Sequence, residues 1–290
     1  MLILQHFCIY LFYHPKWKAY LSENVLIYKI YRMGLKLRSL MFRVWYWYIS
    51  RIDADNEIVF MNYGYEDPSQ KIDLDKEDES NRYSIQLYHR LASAVDLKNK
   101  SIVEVGCGRG GGLSYVVKTF SPSGALGIDL EKRAVMFANR HHTEDGLSFK
   151  QGDAHYLPIE SNSYDALLNV ESSHRYLDFN QFLSEVSRVL KHDGFFLYTD
   201  FRSPSEMPAL KESLHSLDLS LIEEQVINKE VVASLIHDTP RRKDLVERLI
   251  PGFLKKTALN FAGVVDSVTY NQISSGDLVY YVYVFQKKRQ

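Results

Sequence analysis

Residues 101–110 read SIVEVGCGRG. Ile102, Val103 and Val105 around the single acid Glu104 have the apolar density of a strand buried on both faces of a parallel sheet. Glycines then break the strand at Gly106, Gly108, Gly110, Gly111 and Gly112. A glycine backbone can take φ > 0 and come close to a ligand, so a strand-to-helix turn over a nucleotide-like cofactor is expected. Gly106, Gly108 and Gly111 also satisfy G-x-G-x-x-G, a pattern that fits dinucleotides equally well. Glu104 begins to separate the two readings. A carboxylate just before the turn repels a pyrophosphate and attracts a cation, such as the ammonium of S-adenosylmethionine. The other possibility for Glu104 is a strand-end acid that caps nearby amides.

Outward from this stretch, the pattern of an α/β sheet continues. Residues 124–130, GALGIDL, read as a second strand ending at Asp129, with Leu130 beside it. An acid roughly 20 residues past the glycines suits a ribose diol, caps the helix that follows, or does both. Leu147 and Phe149 alternate as a short strand. Gly152-Asp153-Ala154 then forms a loop in which Asp153 accepts the adenine amino proton or is a plain turn residue. YDALLNV at 164–170 is a buried strand that delivers Asn169, Glu171 and His174 near its carboxyl end, where open α/β sheets bind ligands. An amphipathic helix carries Phe182, Val186 and Val189 on one face, with Asp178 as N-cap and Gly194 as the stop. FFLYTD at 195–200 is the next strand and ends on Asp200. A further helix is expected at about 82–95, outer strands at 219–227 and 278–285, and two or three helices over 229–262, broken at Pro240, Pro251 and Gly252.

Together EVGCGRG, GIDL, GDA, SYDALLNVE and RVLKHDGFF resemble the class I S-adenosylmethionine-dependent methyltransferases. NEIVFMNYGYED, NRYSIQLYHR, VEVGCGRGGGLSYV, LLNVESSHRY, FLSEVSRVL and KDLVERLIPGFL resemble the phthiotriol/phenolphthiotriol dimycocerosates methyltransferases, bacterial lipid O-methyltransferases. This similarity runs from about Trp45 to the C-terminus. It implies a Rossmann-like seven-stranded sheet with a final antiparallel strand, helices on both faces, and a helical lid at about 228–262. The cofactor it implies is S-adenosylmethionine, held by Glu104, Gly106, Cys107, Gly108, Gly110, Asp129, Leu130, Asp153, Ala154 and Asn169. In similar enzymes an aromatic N-terminal segment closes over the cofactor. Tyr65 is the candidate for that role, or else a buried structural tyrosine. The implied reaction moves a methyl group to a hydroxyl of a lipid or polyketide-type acceptor, with His174 as general base oriented by Asp200. An imidazole of ordinary pKa, about 6.5, suits proton removal near neutrality. The alternatives are C-methylation of a sterol- or quinone-like lipid, with Glu171 steadying a cation, and, more remotely, an NAD(P)-dependent oxidoreductase.

The 290 residues carry a net charge of −1, which gives no whole-chain argument for nucleic acid. Two cysteines make no disulfide framework, and Cys107 inside the glycine turn reads as a packing residue. No metal-binding spacing is present, and His141-His142 reads as a helix end, so no metal is expected. Residues 1–60 read as an aromatic, basic segment ahead of the catalytic domain at 61–290. Its first 14 residues are apolar but too short to span a bilayer, and they lack the features of a signal peptide. Translation from Met33 or Met41 is an alternative. Between residues 16 and 51, eight Lys and Arg face only Glu23, with Trp17, Trp45 and Trp47 interleaved. Such a segment either lies on an anionic membrane surface or packs on the domain. A cytoplasmic chain is expected, at the cytoplasmic face of the membrane if the segment binds it. The hydrophobic acceptor would meet Leu235, Ile236, Leu245, Leu249, Ile250, Phe253, Leu254 and Phe261, most of which must serve as core.

Overall fold

A computed structural model describes residue 53 and residues 57–69 and 72–289. The basic segment over 16–51, with its membrane reading, lies outside the described residues. Seven strands, β1 (Ser101–Val105), β2 (Gly124–Asp129), β3 (Leu147–Gln151), β4 (Tyr164–Val170), β5 (Leu190–Arg202), β6 (Leu219–Val226) and β7 (Val279–Lys287), form one sheet. Their order is β3-β2-β1-β4-β5-β7-β6. β1 pairs in parallel with β2 and β4, as do β2 with β3 and β4 with β5, whereas β7 runs antiparallel between β5 and β6. The chain order reverses between β1 and β4, so the crevice at their carboxyl ends is where such sheets take ligands.

Helices α1 (Arg82–Ala92), α2 (Gly111–Phe120), α3 (Lys132–His141), α4 (Phe179–Val189), α5 (Met207–His215), α6 (Asn228–Leu249), α7 (Gly252–Phe261) and α8 (Val268–Ser275) complete the fold. The sheet residues alternate between two cores. Ile102, Leu168 and Leu197 pack with Leu91, Val116, Val231 and Ile273 on one face. Val103, Leu167 and Phe196 pack with Phe182, Val186 and Leu210 on the other. Burying one such leucine or phenylalanine contributes about 1.5–3 kcal/mol, so the sheet is a rigid platform for the loops at its edge. A smaller cluster of Val246, Ile250 and Ala258 with Ile58 holds α6 and α7 together beside the N-terminal segment.

Two expected boundaries differ. Gly194 does not stop α4, which ends at Val189 and passes into extended backbone at Leu190. The early strand start shifts the β4–β5 register between Tyr164 and Ala166, and Gly194 sits in that bulge. There a Cβ would press on the carbonyls of Lys191 and Asp165. Pro240 does not break the helix either: α6 runs 22 residues through it. Proline removes only the bond to the carbonyl of Ile236, a residue 46% exposed, so water can replace it. Pro251 and Gly252 do separate α6 from α7, and a third helix, α8, extends the insert beyond the expected limit of 262 before β7 begins.

Candidate active site

The glycine turn leaves β1 with Gly106 at φ +80° and Gly110 at φ +84°. At Gly106 a side chain would collide with Ser172 and Tyr176, and at Gly110 with Phe149. The turn is therefore closely packed, and the amides of Gly106 and Cys107 bond the carbonyl of Ile128 near the end of β2. Asp129, at the end of β2, accepts from the amides of Gly108 and Glu131, both at 2.8 Å. It thus braces the turn and the start of α3 at once. Burial raises its pKa, against the hydrogen bonds to Glu131 and Gly108. Leu130 is 57% exposed beside it. Across the β2–β3 edge, Asp153 is exposed and takes the amide and ring of His155, while Ala154 is buried. Cys107 is buried, its thiol pushed up by burial and against the space over Gly127. That placement fits packing.

Glu104 lies wholly inside. One carboxyl oxygen accepts from the Tyr88 hydroxyl at 2.8 Å, and the other has no protein partner. Burial pushes its pKa up to about 8. An ammonium beside the unpartnered oxygen would satisfy it and restore the charge. Asn169 is a second residue with an unpartnered buried oxygen; its amide nitrogen donates to the carbonyl of Val105 at 2.8 Å, to Ser172 and to Tyr176. The residue set that the sequence assigns to S-adenosylmethionine is thus compatible with that group: an acid with an unpartnered oxygen for the ammonium, an acid for the diol, and a close-packed glycine turn between.

His174 and Asp200, 26 residues apart, meet at the carboxyl ends of β4 and β5. His174 lies in the short turn Ser173–Arg175, and its Nδ1 is 2.8 Å from Asp200 Oδ1. Asp200 is fully buried and also accepts from Ser173 Oγ and the His174 amide through Oδ2, at 2.6 and 2.9 Å, and from the Phe201 amide through Oδ1. Arg202 lies 3.2 Å away. Burial works to raise its pKa, but the charges of His174 and Arg202 and these bonds hold the carboxyl well below the usual range. An ionised Asp200 can only accept, so Nδ1 carries the proton and Nε2 the lone pair. Burial lowers the His174 pKa and Asp200 pulls it back up. The imidazole is therefore neutral at pH 7 and has the tautomer that a base requires.

Arg175, Ser234 and Arg242 are neighbours with no signal in the sequence, whereas Glu171 is the strand-end acid named above. Arg175 Nε donates to His174 Nε2 at 3.1 Å. Glu171, at φ +45°, accepts from the Tyr63 amide at 2.8 Å and from the Tyr280 hydroxyl, and burial pushes it up to about 8. Through Glu171 the β4 end ties down the extended strap at 57–66. Ser234 and Arg242 of α6 hold the carbonyl of Tyr63, at 2.8 and 3.1 Å. Near the strap's start, Asp53 pairs with Arg109 of the glycine turn at 2.5 Å, both buried. Val59 and Met61 then lie against Gly111 and Gly108. Tyr65 instead faces α1: it is 4% exposed and its amide bonds the carbonyl of Tyr83. Of these, only the left-handed φ of Glu171 is a strong local oddity, and sequence gives no signal of it for a non-glycine residue.

Between strap and lid lies a cavity of about 120 Å³ lined by Ile58, Phe60, Tyr63, Leu245, Leu249 and Phe261, among others. The ring of Tyr63 is 5.7 Å from Phe201, which lies 4.5 Å from the His174 ring. The ring of Phe201 thus stands between the cavity wall at Tyr63 and the histidine.

Comparison with known proteins gives three kinds of match. Residues 103–198 match the family model described as a methyltransferase domain. The chain is 39% identical over 258 residues to the fatty-acid O-methyltransferase of Mycolicibacterium smegmatis, covering 89% of this chain and 93% of that one. It is 40% identical over 249 residues to the phthiotriol/phenolphthiotriol dimycocerosates methyltransferase of Mycobacterium tuberculosis, covering 84% and 92%. Among solved structures, the cyclase SpnF superposes with a TM-score of 0.63 at 17% identity, covering 84% of this chain and 94% of that one. The geranyl diphosphate C-methyltransferase of Streptomyces coelicolor superposes with a TM-score of 0.59 at 16% identity, covering 83% and 95%. At such identities these two speak for the fold alone.

Proposed function

The chain belongs to the class I S-adenosylmethionine-dependent methyltransferases, and we propose that it methylates a hydroxyl oxygen of a lipid or polyketide-type acceptor, with His174 as base and Asp200 as its orienting partner. Membership fixes the cofactor as S-adenosylmethionine and sets aside an NAD(P)-dependent oxidoreductase. Relatives named for a fatty acid and for phthiotriol support a long-chain acceptor. The observation that carries the reading is the His174–Asp200 bond at 2.8 Å, which makes Nε2 the nitrogen with the lone pair, engaged in the ligand-free protein by Arg175 Nε.

In this reading Glu104 takes the ammonium of the cofactor, and the turn at Gly106, Cys107, Gly108 and Gly110 takes its amino acid end. Asp129 and Leu130 take the ribose, Asp153 and Ala154 the adenine, and Asn169 the centre; Tyr65 supports the strap. When bound, the cofactor supplies an electrophilic methyl group on a sulfonium. The protein's task is to align the acceptor oxygen with it, a kind of proximity that can supply about 7–11 kcal/mol. The cavity walls hold the acceptor's apolar body. His174 Nε2 then accepts the hydroxyl proton, and the ionised Asp200 stabilises the resulting imidazolium. Glu171 is committed to Tyr63 and Tyr280, which disfavours C-methylation with Glu171 against a cation.

The test is methyl transfer from labelled S-adenosylmethionine to a long-chain alcohol, with product identified by mass spectrometry. Ether formation that collapses in His174→Ala is expected. Ether formation that survives within a few-fold would remove His174 as base.

A further inference from the structure

We infer that Arg175 is a specificity-determining residue, whose guanidinium binds an acceptor arriving as a carboxylate and lets the same site make methyl esters of long-chain acids. The inference rests on the reading above, that acceptor oxygens are methylated beside His174. Arg175 follows His174 in the turn Ser173–Arg175, and its Nε is 3.1 Å from His174 Nε2. Its guanidinium carbon is 5.9 Å from the ring centre of Phe261 in α7. Phe261 and Tyr63 both line the apolar cavity. A cation therefore stands between the base and a ring of the cavity wall.

The two classes of acceptor make opposite demands on that cation. A hydroxyl needs the Nε2 lone pair, which the Arg175 N–H now engages, so the guanidinium must withdraw. It must also tolerate an imidazolium next to it, and the charge of Arg175 already opposes protonation of His174. A carboxylate is ionised at neutral pH and brings its own nucleophilic electron pair. It fits the planar fork of a guanidinium, and its apolar tail suits the cavity. In ester formation the carboxylate oxygen's pair forms the new O–CH₃ bond while the S–CH₃ bond breaks and its pair stays on sulfur. The carboxylate and sulfonium charges cancel, and no proton is released. In ether formation the same bonds form and break, and one proton leaves the hydroxyl for His174.

The experiment compares palmitic acid with hexadecan-1-ol, of matched chain length, using the full-length protein and labelled S-adenosylmethionine. Binding of S-adenosylhomocysteine and a thermal melt establish that each variant is folded. Arg175→Met is expected to lower the acid-to-alcohol ratio of kcat/KM roughly tenfold to hundredfold, the range for losing a charge-assisted hydrogen bond. Arg175→Lys should recover part of it, and His174→Ala should move the ratio the other way. An equal loss on both acceptors in Arg175→Met would overturn the inference. A wild type that takes the alcohol but not the acid would also overturn it, leaving the base reading intact. Transfer to the acid alone, lost in Arg175→Met, would support Arg175 and overturn the hydroxyl reading. Transfer to neither would overturn both.

Discussion

Two buried carboxylates at the carboxyl edge of one sheet stand in opposite states. Glu104, on the glycine-turn side, has a single donor, Tyr88, and burial pushes it up to about 8. Asp200, on the lid side, has donors from Ser173, His174 and Phe201, with Arg202 close by, and its pKa is held below the usual range. Burial penalises both charges alike, so the partners decide the outcome. The cofactor half is thus electrostatically incomplete in the protein alone, and a cationic ligand completes it. The acceptor half is complete before any ligand arrives, with its base neutral and oriented. Burial by itself tells little about a carboxylate's role; its count of donors tells much more.

The largest effect expected is on the acceptor half. His174→Ala should cost about 10²–10⁴-fold in kcat, the usual worth of a positioned base, with little change in cofactor affinity. Steady-state kinetics beside calorimetric binding measures both. A similar loss in affinity would erase the division between halves. Next comes the seam that joins them. Arg109→Met leaves Asp53 buried without its partner and should destabilise the chain by about 3–5 kcal/mol, read by denaturant unfolding. A change below about 1 kcal/mol would show that the strap is not clasped to the glycine turn.

On the cofactor half, Glu104→Gln should weaken S-adenosylhomocysteine roughly tenfold to hundredfold, the worth of a hydrogen bond to a charged group. The same change should stabilise the ligand-free chain. The unfolded chain releases this proton near 4.5 while the folded chain holds it to about 8, so wild-type stability falls across that window and levels off above it. The Tm advantage of the variant should therefore grow as pH rises through the window. A constant Tm difference would contradict the raised pKa. The smallest effect is a shift in pH profile. The neutral imidazole is the active form, and burial lowers its pKa. The acid limb of kcat/KM should therefore lie below the ordinary histidine value of about 6.5. Asp200→Asn, which removes a group favouring the imidazolium, should move it further down. A limb above that value would assign the base elsewhere.

The two halves also differ in how readily the sequence reveals them. The glycine turn, Asp129 and the succession of strands along the chain follow from local constraints, namely where φ must be positive and where apolar runs end, and the resemblance supplied their arrangement in the sheet. Asp178 is legible in the same way, and it caps α4 by accepting from the Gln181 amide. His174 and Asp200 could be placed at strand ends, and the resemblance supplied their pairing. The rest of the acceptor half is built from distant contacts. Glu171 holds Tyr63, 108 residues away, and Arg242 holds the strap carbonyls across 179 and 180 residues. No periodicity records such pairs. For the same reason the sequence does not separate Tyr65, which faces α1, from Val59 and Met61, which lie on the glycines.

The most direct test of the opposed carboxylates is calorimetric titration with S-adenosylhomocysteine at pH 7, repeated in buffers of different ionisation enthalpy. The ligand's ammonium should bring Glu104 to its charged form, releasing close to one proton per ligand bound in the wild type and none in Glu104→Gln. Equal proton release in the two proteins would contradict the account.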